Sequence, residues 1–174
     1  MTPHIVDDSV EVTAKDAPGH LMHGAIERMA NGASRDQILA LQALMETEFT
    51  EPWEDDFPLL HTFAPGLYAR QMTIPKGGII IGKIHRHAHV NTISKGKVWV
   101  VTEFGKEEIT GPVTFVSQPG TKRVVVAQEE TIWTTYHPTE ETDLAKIEEY
   151  VIAPSYEALE SLTMQTTKTL EVTL

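Results

Sequence analysis

From Phe63 to His137 the chain consists of short runs rich in β-branched and aromatic residues, each broken after four to seven positions by a turn signal. No other feature restricts the fold as much, because runs of that length and composition read as strands. Strands are predicted over Leu67–Thr73, Ile79–Ile84, Ala88–Ile93, Lys97–Thr102, Lys106–Ile109, Val113–Ser117, Arg123–Ala127 and Thr131–Tyr136. Turns fall at Pro75-Lys76-Gly77-Gly78, Ser94-Lys95-Gly96, Phe104-Gly105, Pro119-Gly120 and Gln128-Glu129-Glu130. Spacing this regular predicts antiparallel hairpins closed into a sandwich or small barrel.

The flanks differ in texture. Residues 1–19 are polar and acidic without a clear period, which predicts a loose arm. Asn31-Gly32-Ala33-Ser34 reads as a helix stop and a new start, with Ser34 as N-cap and Gln37 at the capping-box position. Ile38, Leu41, Met45 and Phe49 then predict an amphipathic helix over about residues 35 to 48. Pro52 to Pro58, enclosing Glu54-Asp55-Asp56, reads as a linker with a solvated acid run. After His137-Pro138, the residues Leu144, Ile147 and Val151 predict another helix or a helix-to-strand passage. Ser155 to Leu162 predicts a helical turn or two before a threonine-rich tail. The chain thus divides into an arm with helices over 1–59, a barrel over 60–140, and a C-terminal extension over 141–174 that packs on it.

With 174 residues, 41% of them hydrophobic, the chain can bury one core. No apolar run of about eighteen residues offers a membrane span. Its start lacks the basic and apolar regions of a secretory signal, so the protein is expected to stay in the cytoplasm where it is made. Fourteen basic against twenty-five acidic residues give 14 − 25 = −11, which argues against general nucleic-acid binding; Lys122-Arg123 is the one obvious basic pair. The absence of cysteine excludes disulfides and thiolate chemistry, so a metal would be held by nitrogen and oxygen alone.

Histidines supply that nitrogen. His85, His87 and His89 stand at i, i+2 and i+4 of an apolar, β-rich segment, where alternation would put all three on one face of a strand. His137 lies forty-eight residues beyond His89.

The stretch Gly77-(five)-Lys83-(one)-His85-(three)-His89-(six)-Gly96 resembles the first motif of the cupin superfamily, in which a glycine precedes two histidines, a glutamate and a second glycine. Lys83 stands where the family has its first histidine, and His89 where it has the glutamate. Fourteen residues separate Gly96 from Gly111, close to the spacer of small cupins. Gln118-Pro119-Gly120-Thr121-Lys122-Arg123 resembles the second motif on its proline-glycine turn, with Arg123 where a metal-binding histidine usually sits. Phe63-Ala64-Pro65-Gly66-Leu67-Tyr68-Ala69-Arg70, the Pro119–Arg123 turn and Trp133-Thr134-Thr135-Tyr136-His137-Pro138 look more closely like uncharacterised cupin-like proteins encoded by tailed bacteriophages. The resemblance implies a mainly β jelly-roll barrel (a double-stranded β-helix), a homodimer or higher oligomer, and residence in a host cytoplasm or a virion. It implies no reaction.

If Gln128-Glu129-Glu130 closes a hairpin, Arg123 and His137 oppose each other on neighbouring strands, about 5 Å apart. His137 would then supply the imidazole that Arg123 does not, and with His85 and His89 would form a three-histidine site for iron, zinc, nickel, manganese or copper; His87 is either a reserve ligand or, if a bulge interrupts the strand as the cupin resemblance implies, faces out. Two roles are open to Arg123, an anion anchor in the barrel mouth or a partner for a carboxylate such as Glu103. Lys83 either orients an anion or snorkels to solvent. Tyr136 and Glu103 are the candidate ligand-binding or acid–base groups, Trp99 and Trp133 read as core, and His61 reads as surface. Two functions follow: a metal-dependent oxygenase, isomerase or lyase acting on a small anionic molecule, or a non-catalytic phage accessory, virion or ligand-sequestering protein.

Overall fold

A computed structural model describes residues 12–14, 26, 28–29, 31–48 and 57–161. In chain order the elements are β1 (Val12–Ala14), α1 (Arg35–Glu48), β2 (Leu59–Ala64), β3 (Leu67–Ile74), β4 (Ile79–Ile81), β5 (Ile84–His85), β6 (His89–Lys95), β7 (Lys97–Thr102), β8 (Gly105–Thr110), β9 (Val113–Ser117), β10 (Val124–Ala127), β11 (Thr131–His137), α2 (Leu144–Val151) and β12 (Ile152–Ala153). A further helical segment covers 156–161. The acid run Glu54-Asp55-Asp56 and the threonine-rich tail lie outside the described residues, as does most of the arm. Within the arm, Val12–Ala14 pair with Ile79–Ile81.

Two five-stranded antiparallel sheets, β1-β4-β10-β7-β8 and β2-β3-β11-β6-β9, face each other, and β5 pairs with β12 in a small third sheet. Taken in chain order, the eight strands β3, β4 and β6–β11 pass from one large sheet to the other at every step but β7–β8, so that the first and eighth are neighbours and the second and seventh are neighbours. That is jelly-roll topology, and the fold is mainly β as expected. The simple hairpin reading needs correction. Only β2–β3 and β7–β8 pair directly with the strand that follows. The Gln128–Glu130 turn carries the chain from one sheet to the other, so β10 pairs with β4 and β7 while β11 pairs with β3 and β6.

Burial patterns follow from which faces are covered. β4 and β10 are almost entirely apolar, Ile-Ile-Ile and Val-Val-Val-Ala, because both faces of their sheet are buried. On the outside, Ile38, Leu41 and Met45 of α1 pack on Ile79, Ile81, Val101 and Val124. On the inside, Ile80, Val98, Val100 and Val125 meet Met72, Ile74, Ile93 and Trp133 of the other sheet. The capping box that starts α1 is formed reciprocally: the Ser34 N–H donates to Gln37 Oε1 (2.9 Å) and the Gln37 N–H to Ser34 Oγ (3.2 Å). Gly96 takes a positive φ of 96°, and a side chain there would strike Glu130 O and Thr131 Oγ1, so the glycine is required where β6 turns into β7. Trp99 was expected in the core but faces outward, where Lys106 sits 3.9 Å over its ring and Glu108 accepts its N–H; the inward positions of β7 are Val98 and Val100.

Candidate functional site

A cavity of about 270 Å³ opens between the two sheets. Leu144, Ile147, Glu148 and Val151 of α2 line it from the C-terminal side. Three imidazoles project into it from three elements. His85 ends the short strand β5, where Ile152 of β12 is its ladder partner and its carbonyl accepts the Gly120 N–H at 2.9 Å. His89 opens β6 and His137 closes β11. Their ring centroids lie 4.1 Å (His85–His89), 5.2 Å (His85–His137) and 5.1 Å (His89–His137) apart. His87 is not with them. The strand breaks over residues 86–88, which ends the alternation, so His87 is exposed and packs on Tyr150 with centroids 5.0 Å apart.

Burial keeps all three rings neutral. It pushes His85 well below the ordinary imidazole value of 6.5, assisted by its neighbours His89 and His137 and by Arg123. His137 is pushed down to about 4, again chiefly by burial, and His89 is lowered for the same reason. The Nδ1 of His89 lies 3.2 Å from the His87 carbonyl oxygen, a contact that a neutral ring makes by donating from Nδ1, which leaves Nε2 with its lone pair. Among the described residues, no group of three or more His, Asp or Glu side chains is placed so that it could hold a metal ion.

Arg123 reaches the same cavity from the opposite sheet, immediately before β10, and not as a ladder partner of His137, whose partner is Tyr68. Burial lowers its guanidinium to about 10. It donates to Ser117 Oγ at 2.7 Å and lies 5.8 Å from the Trp133 ring centre; among the described residues no carboxylate pairs with it. Glu103, the other partner considered for it, is outside the cavity and bonds Arg35 at 3.1 Å. The Ser117 hydroxyl also accepts from Asn91 Nδ2 (2.8 Å), and Asn91 Oδ1 accepts from Trp133 Nε1 (2.9 Å). Because Trp133 can only donate, it fixes the Asn91 amide and, through Ser117, the guanidinium.

Lys83 lines the rim and is matched by Glu148 at 2.6 Å. Tyr136 lies on β11 between the inward-facing Thr135 and His137 and so points away from the cavity. Lys122 is only 2% exposed, so Lys122-Arg123 is no surface patch. His61 corrects the surface reading in the other direction: it lines the cavity and sits 2.7 Å from the Tyr68 hydroxyl. The signal for it was the alternation Leu59-His61-Phe63 within a strand, Leu59–Ala64, that the sequence reading did not assign. Asn91 and Ser117, also missed, share the inward parity of His89 and lie across the β6–β9 ladder from each other's neighbours.

No protein-family model matches this chain, and no curated protein is similar to it. Solved structures are. A cupin superfamily protein from Desulfitobacterium hafniense, at 6% identity, is covered over 84% of its length by 52% of this chain, with a TM-score of 0.43. KdgF from Halomonas sp., at 20% identity, matches over 52% of this chain and 86% of its own, with a TM-score of 0.41. An acetylacetone dioxygenase from Acinetobacter johnsonii, at 16% identity, matches over 47% of this chain and 58% of its own, with a TM-score of 0.38. The likeness spans about half of the chain.

Proposed function

We propose that the chain is a metal-dependent cupin in which His85, His89 and His137 hold a divalent transition metal and Arg123 receives the acidic group of a small anionic molecule. The observation that carries this reading is the meeting of three imidazoles, each lowered by burial, in a cavity also lined by Arg123, a guanidinium with no carboxylate partner among the described residues.

The donor set suits a metal by its chemistry, three neutral imidazole nitrogens, although the rings as placed would have to turn to share one ion. With a metal–nitrogen distance of about 2.1 Å and a ring centre about 1.1 Å beyond the nitrogen, three imidazoles on one metal have centroids roughly 4.6 Å apart at right angles and about 5.3 Å at tetrahedral angles. The two pairs that include His137, at 5.2 and 5.1 Å, fall in that range, and His85–His89, at 4.1 Å, lies below it. Neutral nitrogens suit iron, zinc, nickel, manganese or copper. A metal so held supplies Lewis-acid or oxygen chemistry, and its +2 charge, uncompensated by the ligands, favours an anion. The chain's own residues then orient that anion, through Arg123 fixed by Ser117, and exclude water, through α2 over the cavity.

The competing reading is a protein that binds such an anion without turning it over. It is favoured by Glu103 and Tyr136 lying outside the cavity, whose one lining carboxylate among the described residues, Glu148, is paired with Lys83. A phage or virion origin, implied by the sequence resemblance, belongs with this reading. Elemental mass spectrometry on untagged protein tests the metal claim. Near-stoichiometric metal, lost in both His85→Ala and His89→Ala while circular dichroism is unchanged, is the expected result. Protein that stays metal-free after incubation with iron, zinc, manganese and nickel would overturn it. Turnover of small acids under oxygen by the loaded protein then separates enzyme from binder.

A further inference from the structure

We infer that the anion carries an apolar body, so that the ligand is a small hydrophobic carboxylate and not a sugar acid or a free phosphate. This rests on the anion reading above and adds to it the chemistry of the rest of the ligand.

The cavity is divided by polarity. One end holds the three imidazoles and Arg123, tied through Ser117 and Asn91. His61, Tyr68, Arg70 and Thr135 line the same end, on the ladder rows of His137 and Asn91, and Leu59, Met72, Ile74, Ile80, Val125 and Trp133 form an apolar wall beyond it. Beyond the polar end, these side chains offer a polyhydroxylated molecule no hydrogen-bond partners, and each buried hydroxyl left unpaired there is unfavourable by about 1–3 kcal/mol. The single indole N–H among them is already used on Asn91. A methylene or phenyl group, by contrast, gains from burial.

Charge points the same way. Of the ionisable side chains lining the cavity, Glu148 is the one carboxylate, and it is matched by Lys83. Arg123 has no such match, although the chain as a whole carries a net charge of −11. Arg123 lines the cavity, and a planar guanidinium receives a carboxylate in a fork of two bonds. Size sets the limit: about 270 Å³ lies just below the usual range of roughly 300–1,000 Å³ for ligand pockets, which suits a short-chain or single-ring acid and excludes a nucleotide. The carboxylate is therefore placed between Arg123 and the imidazoles, with the tail toward Ile74 and Ile80.

Isothermal titration calorimetry on zinc-loaded protein tests this with propionate, butyrate, hexanoate, benzoate, gluconate and inorganic phosphate as probes. Affinity should rise about fourfold for each methylene from propionate to hexanoate. Benzoate should bind, and gluconate and phosphate should bind at least tenfold more weakly than hexanoate. Ile80→Asn should flatten the chain-length series while propionate still binds, and Arg123→Met should weaken every carboxylate. Gluconate or phosphate binding as tightly as hexanoate would overturn the apolar body while the anion reading stood. No binding of any probe by zinc-loaded protein would remove the anion reading itself. The chain-length series needs no variant, so a failure of Ile80→Asn to fold leaves the test intact.

Discussion

His137 is neutral at pH 7 because its ring is buried, and that neutrality makes the metal-free protein sensitive to acid. The folded state holds this imidazole at about 4, whereas the unfolded chain titrates it at 6.5. Between those values the unfolded state binds more protons, so stability is full above pH 6.5 and falls as pH drops toward 4. The difference of 6.5 − 4 = 2.5 units corresponds to about 3 kcal/mol for this one ring, and His85 and His89 act in the same direction. Denaturant titrations of metal-free protein from pH 7.5 to 4.5 should show that loss, and it should be smaller in His137→Phe. Asn91→Leu makes a separate prediction at this scale. It leaves the buried Trp133 N–H without its acceptor, which is destabilising by about 1–3 kcal/mol, and it releases Ser117 from one of its two donors. Carboxylate affinity should fall while metal content, read by elemental analysis, stays unchanged.

At the scale of elements, the C-terminal extension does more than cover the barrel. β12 pairs with β5, so the segment that closes the cavity also fixes the backbone of His85, and Arg86 donates to the Ile152 carbonyl beside it. Ile147 of α2, 2% exposed, packs with Tyr68, Val151 and Ile152 to hold this segment down. Ile147→Ala should destabilise by about 2–5 kcal/mol in chemical denaturation and speed the loss of metal to a chelator. Lys83→Met, which removes only a rim ion pair with Glu148, should change stability by about 0–1 kcal/mol. What could be read from the sequence depended on how local the cause was. Ser34 and Gln37 cap α1 with each other, and its span of 35 to 48 was legible to the residue. The partners of β10 and β11 were not, because a turn between sheets and a hairpin turn use the same residues. His85, His89, His137 and Arg123 were found together, yet the hairpin offered as the reason for the last two was absent. Strict alternation would have put His87 inside, but the strand breaks over 86–88 and it faces out, the alternative that the motif resemblance left open. β2 was missed because Leu-Leu-His-Thr-Phe-Ala is poor in β-branched residues.

Across the whole molecule, acidity and cavity chemistry are segregated. A chain with a net charge of −11 lines its cavity with Lys83, Arg70 and Arg123 against the single acid Glu148. The jelly roll makes this possible by bringing Arg123 and the imidazoles from opposite sheets to one end of the space between them. No helix among the described residues is long and apolar enough to cross a membrane. The central claim concerns the three imidazoles, and metal-edge X-ray absorption on the loaded protein addresses it most directly. The spectrum should contain the multiple-scattering signature of about three imidazoles at roughly 2.0–2.1 Å, with light-atom scatterers completing the shell. The His89→Ala variant should lose that signature in part or fail to retain the metal. A shell of oxygen scatterers with no imidazole contribution would contradict the account.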